Sequence, residues 1–245
     1  MIGVLADTVW PAISGAVVVL VPLGSTEQHG PHLPFATDST IAAAVALGAA
    51  DRCRGLDGSA PLIVAPTVPY GASGEHQEFP GTVSIGTEAL QVVLIELVRS
   101  LATWADGIIF VNGHGGNIQA LSTAVPQLIA EQHRVAWLPC AVPDGDAHAG
   151  RTESSLMLHL APQLVDMSTA CVGNVAPVRE LLSALAVGGT RAVSPSGVLG
   201  DPTGANAAEG SVLLGSMIDS VLRRIAAGSV DHRGCLRDPG AGGVR

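Results

Sequence analysis

Glu27 and His29 alternate along the segment Gly24-Ser25-Thr26-Glu27-Gln28-His29-Gly30-Pro31-His32, and Asp38 follows where a helix should begin. Asn112-Gly113-His114-Gly115-Gly116-Asn117 and His148-Ala149-Gly150-Arg151-Thr152-Glu153 lie far along the chain, each beyond an apolar run. Carboxylates and imidazoles at this density are costly to bury unless a cation neutralises them. Mixed oxygen and nitrogen donors suit zinc, iron(II) and manganese. The pattern predicts a metal-dependent hydrolase.

Two adjacent ions usually share a carboxylate, and Asp38 is the best bridge. One ion is expected on Glu27, Asp38 and His114, the other on His29, Asp38 and Glu153. That is two divalent ions per subunit, zinc and/or iron(II), with manganese also accommodated. Ions roughly 3.5–4 Å apart acidify water and polarise a carbonyl. His148 is expected to supply the proton an amide leaving group needs, with Glu153 beside it in a catalytic as well as a ligand role. His76, on the loop after the second strand, would touch substrate or support the ligands. Asn117 would support the centre or cap a helix. His133, His159 and His232 read as structural or solvent-exposed, and Glu75 and Glu78 as solvated loop charges. His32 fits either the cluster or a plain loop. Arg151 and Tyr70 stay open as substrate contacts, and Trp104 and Trp137 read as core.

The elements that must position these groups follow from the apolar pattern. Residues 17–21, 62–65, 108–111 and 135–138 are strand candidates, and 39–50, 87–104 and 117–131 are helical, with Asp38 or Ser39 as N-cap of the first. Alternation of strand and helix predicts one α/β domain over residues 1–245 with a mostly parallel sheet. Ligands of such sheets bind beyond the strands' carboxyl ends, where all three segments then converge. Residues 152–160 should form a short helix stopped by Pro162, 188–204 a loop, and 205–227 a closing helix. The tail after Gly228 should fray.

Composition narrows the classes. The 245 residues are 47% hydrophobic, so a large core is available and disorder is disfavoured. Net charge is −9 without a basic run, which argues against nucleic acid. The four cysteines form no C-x-x-C pair. The apolar start lacks a basic region and contains Asp7, and no segment is long and apolar enough to span a bilayer. A cytoplasmic protein without a membrane partner is expected.

The blocks also resemble a known family. Gly24-Ser25-Thr26-Glu27-Gln28-His29-Gly30-Pro31-His32-Leu33-Pro34 with Asp38, Phe79-Pro80-Gly81-Thr82, the His114 block, and His148-Ala149-Gly150 followed by Glu153-Ser154-Ser155 are similar to the creatininase (creatinine amidohydrolase) signature. The resemblance runs from about residue 16 to about 227. It implies a three-layer α/β/α fold with a mostly parallel central sheet, a dinuclear metal centre, amide hydrolysis and homo-oligomers, often hexamers. Tyr70-Gly71-Ala72-Ser73-Gly74-Glu75-His76-Gln77, Ser84-Ile85-Gly86-Thr87-Glu88-Ala89-Leu90 and Gly197-Val198-Leu199-Gly200-Asp201-Pro202-Thr203 resemble the branch of peptidases in mycofactocin biosynthesis. That branch implies a modified mycofactocin precursor peptide as substrate. Its C-terminal cross-linked, decarboxylated Val-Tyr unit would leave as an aminopyrrolidinone. The rivals are a creatininase-type cyclic amidohydrolase, a formamide deformylase acting on a small molecule, and a non-enzymatic metal-binding scaffold. Two departures from creatininase proper stand out. Gly116 replaces an acidic ligand, whose part is assigned to Glu153, and residues 141–151 lack the tryptophans that close over creatinine. Both imply a roomier site.

Overall fold

The computed structural model describes residues 3–54, 60–143 and 145–240. Its centre is β1 (Val18–Leu23), a run without polar side chains that can only lie between two covered faces. It pairs in parallel with β2 (Leu62–Val64) and β3 (Gly107–Asn112), and β3 pairs in parallel with β4 (Val135–Pro139). The order is β2-β1-β3-β4, with Val18 opposite both Leu62 and Gly107 and Ile108 opposite Val135.

Side chains alternate between the faces, as a two-residue period requires. Leu20, Ile109, Val111 and Leu138 face α1 (Thr37–Cys53), α4 (Arg151–Leu160) and α6 (Ala207–Ala227). Val19, Val21, Phe110 and Trp137 face α2 (Thr87–Leu101) and α3 (Ile118–Ala130). The result is the expected three-layer α/β/α arrangement on a parallel sheet. Among the described residues, no helix is long and apolar enough to cross a membrane.

Four local expectations change. Ala36, not Asp38 or Ser39, precedes the first turn of α1, and Asp38 is buried inside that turn with its carboxylate aimed at the sheet's edge. α2 stops at Leu101, leaving Trp104 37% exposed in a turn, whereas Trp137 is core and donates from Nε1 to the Arg233 carbonyl. An additional helix, α5 (Val178–Val193), runs into the segment expected to be loop, and bends at Gly189, whose φ is 66°. The chain after Gly228 packs rather than frays: Cys235 bridges to Trp137, Val230 to Leu236, and Cys235 and Leu236 are buried. Residues 241–245 lie outside the described residues.

Candidate metal centre

Where β1 ends, the chain turns across the first turn of α1. A side chain at Gly24 would meet the Ser39 backbone at 2.6 Å, so glycine permits the closest approach of strand end and helix start. This brings Glu27, His29 and Asp38 together, each at most 2% exposed. β3 delivers His114, whose loop is held by Asn112 Nδ2 donating to the His114 carbonyl at 2.7 Å. Asn117 joins three segments: its Nδ2 donates to Gly24 O and to Asn112 Oδ1, and its Oδ1 accepts from Ala72 N. His148 enters from the loop after β4, and Glu153 from the first turn of α4.

The side chains meet at contact distance. His29 Nε2 is 3.0 Å from Asp38 Oδ1 and 3.8 Å from Glu153 Oε2. His114 Nδ1 is 3.2 Å from Asp38 Oδ2, and its Nε2 is 3.2 Å from Glu27 Oε2. His76 Nε2 and His148 Nδ1 lie 3.4 Å and 3.7 Å from Glu27 Oε1. Ser25 Oγ donates to Asp38 at 2.7 Å, and Glu153 accepts from Ala149 N at 2.6 Å. Three sets of donor atoms fall within 4.8 Å of one another: Glu27, His29 and Asp38; His29, His148 and Glu153; Glu27, His76 and His148. His148, expected only to move protons, thus also stands at ligand range. His114, expected as a ligand, bridges two carboxylates and enters none of these sets.

Burial and charge explain the ionisation pattern. Burial alone raises the Glu27 carboxyl, but His114 beside it reverses this and brings it down to about 2. Burial alone lowers His29, but the charge and hydrogen bond of Asp38 lift it to about 10. Against burial, Glu27 and then Asp38 raise His114 well above its ordinary value, and His29 and His114 hold Asp38 well below its own. Burial lowers His76 to about 4 and His148 well below its usual range, and raises Glu153 to about 7. Two imidazolium charges therefore balance Glu27 and Asp38 in the metal-free protein. Both Glu27 oxygens are nevertheless buried without a directed hydrogen bond. A carboxylate left in that state is one a cation would neutralise, so the donor set fits divalent metal.

Two neighbours escaped the sequence reading. Gln28 Nε2 lies 2.8 Å from His76 Nδ1 and 3.0 Å from His148 Nε2, and donates to Gly197 O. Gly197 has φ +81°, and a Cβ there would strike the Gln28 amide. Glu75 is no solvated loop charge: its Oε1 is 3.5 Å from His114 Nε2 and its side chain is 32% exposed. Its place inside a signature block was the available signal. Glu78 stays exposed. His32 is buried, with Nε2 2.8 Å from Ser154 Oγ. Arg151 pairs with Glu209, and Tyr70 is 47% exposed. His133 is half-buried beside Glu131, and His159 and His232 are exposed.

A cavity of about 980 Å³ opens onto the centre. Glu75, His76, His114 and His148 form its polar side, and Val178, Leu182, Leu185 and Ala186 of α5 an apolar side. Such a vessel suits a ligand larger than a single small ring.

The chain matches the family model described as creatininase, creatinine amidohydrolase, over residues 6–225. It is 53% identical over 219 residues to the mycofactocin precursor peptide peptidase of Mycobacterium ulcerans, covering 89% of this chain and 85% of that one. A crystal structure of creatinine amidohydrolase superposes with TM-score 0.75 at 24% identity, covering 92% and 97% of the two chains. A mutant creatininase of zinc–zinc type gives TM-score 0.73 at 22% identity, over 93% and 98%.

Proposed function

Since the chain belongs to the creatininase family of amide-bond hydrolases, we propose that it is the metal-dependent peptidase that cleaves the modified mycofactocin precursor peptide. The product would be the C-terminal cross-linked, decarboxylated Val-Tyr unit, released as an aminopyrrolidinone core. The observation carrying this reading is the 53% identity, over 89% of the chain, to a relative bearing that activity in its name. The size and apolar side of the cavity support a peptide over a small flat lactam.

Glu27, Asp38 and His114 would hold one divalent ion, and His29, Asp38 and Glu153 the other. Bound divalent cations supply Lewis-acid polarisation of the amide carbonyl and acidify water. Zinc and iron(II) suit the donors, with manganese as a third choice. The chain's own residues do the rest. Burial keeps His148 neutral near pH 7. With a proton on Nε2, 2.9 Å from the Gln28 carbonyl, its Nδ1 is free to accept another and pass it to the leaving nitrogen. The Gln28 carbonyl holds His148 and the Gln28 side-chain amide stands at His76 Nδ1, and α5 gives the cavity its apolar side.

A homo-oligomer, hexamer-like, is part of this reading, and exposed Val175, Val187 and Val212 offer apolar surface for it. So is a cytoplasmic location, with Cys53, Cys140, Cys171 and Cys235 all free thiols, the state a reducing compartment maintains. The test is mass spectrometry of metal-loaded protein incubated with modified peptide, unmodified peptide and creatinine. Release of the cross-linked unit from the modified peptide alone is expected. Turnover of creatinine without peptide cleavage would overturn the substrate while leaving the amide chemistry.

A further inference from the structure

Gly116 is a glycine for reasons of space, and Glu75 is one of three groups that crowd it. Gly116 is not among the glycines with positive φ, so its backbone would accept any residue. A Cβ there, however, would lie 2.2 Å from Ala72 O, 2.5 Å from His114 Nε2 and 2.7 Å from Glu75 Oε1. The Glu75 carboxylate thus stands over residue 116, on the cavity side of His114.

We propose that Glu75 is a metal ligand of this centre, beside Glu27 at His114 Nε2, where the missing side chain of Gly116 leaves His114 and Glu75 room to meet. Donor atoms bound at 2.0–2.2 Å to one tetrahedral ion stand about 3.4 Å apart. His114 Nε2 has Glu27 Oε2 at 3.2 Å and Glu75 Oε1 at 3.5 Å, two edges of such a site, and a bound ion would draw the two carboxylates together, since the three donors are not among the sets that already close within 4.8 Å. Charge points the same way. Two divalent ions carry four positive charges, against three negative ones from Glu27, Asp38 and Glu153, and Glu75 adds the fourth. This inference rests on the two-ion reading above, not on the identity of the peptide.

The test is titration of metal-free protein with zinc and cobalt(II), following stoichiometry by metal analysis, affinity by calorimetry, and the cobalt absorption bands. Wild type, Glu75→Gln, Gly116→Ala and, as control, Glu78→Gln are compared. Glu75→Gln is expected to weaken one ion by roughly 10–100-fold and shift its cobalt bands, leaving the other ion and the thermal unfolding of the metal-free protein unchanged. Gly116→Ala should weaken the same ion, and Glu78→Gln neither. Wild-type affinity for both ions in Glu75→Gln would overturn the proposal. Should Gly116→Ala not fold, Glu75→Gln at the cavity rim still decides. One ion in wild type would overturn the two-ion reading, and the Glu75→Gln affinity would still settle Glu75.

Discussion

Asp38 Oδ1 lies 3.0 Å from His29 Nε2, and its other oxygen lies 3.2 Å from His114 Nδ1. One carboxylate in the first turn of α1 therefore ties the segment after β1 to the loop after β3. Asp38→Ala should abolish both metal loading and hydrolysis, because each proposed ion loses a ligand. It also leaves imidazolium buried without its counter-charge, a loss of about 3–5 kcal/mol in the metal-free fold. Metal analysis, activity and denaturant unfolding of this variant check the claim. Full metal content would remove Asp38 from the bridging role.

His148 has two candidate parts, and one substitution separates them. It moves a proton in the proposed reaction, yet its ring is 4.3 Å from that of His29 and it shares two of the three donor sets. His148→Ala is expected to keep both ions and lose most turnover, on the order of 10²–10⁴-fold as for other lost acid–base groups. Loss of an ion from the variant would make His148 a ligand instead, and an unchanged rate would take it out of the mechanism.

These groups were largely legible because the fold announces itself. The four strands are unbroken apolar runs, and parallel pairing sends each following segment to the same edge. What stayed hidden depended on contacts between distant residues. Glu75 reads as a solvated charge until β3 brings His114 against it. Gln28 is a neutral amide, with nothing in its type to say that it meets His76 and His148. α5 was obscured by Gly188-Gly189, which look like loop, and because one side of this helix faces a cavity rather than the core. The packed tail rests on only a few buried residues such as Cys235 and Leu236, too few for a periodic signal.

Proton release should accompany metal binding. Asp38 holds His29 protonated up to about pH 10 in the metal-free protein, whereas an imidazole must be neutral to bind an ion. Affinity should therefore rise with pH between about 7 and 10. Calorimetry in buffers of different ionisation enthalpy would count the protons expelled. The same pair governs metal-free stability. Because the folded value of His29 exceeds the unfolded 6.5, its contribution is complete below pH 6.5 and lost as pH rises through about 10. Glu27 and Asp38 are shifted down, so theirs is present above the ordinary values of 4.5 and 3.8 and lost as pH falls through the folded ones. The metal-free melting temperature should drop on the alkaline side. A flat profile from pH 6.5 to 10 would contradict the His29 assignment.

Leu182 and Leu185 of α5 line the same cavity as His76 and His148. In the proposed reaction they would hold apolar parts of the peptide. Leu185→Asp should leave metal content unchanged and raise KM for the modified peptide, with kcat little affected. Loss of one apolar contact is worth roughly 1–3 kcal/mol, or about 10–200-fold in kcat/KM. A group that binds ground and transition states alike acts on KM and spares kcat. Should kcat fall and KM stay constant, α5 would instead be shaping the catalytic groups, and the peptide would be held by some other wall of the cavity.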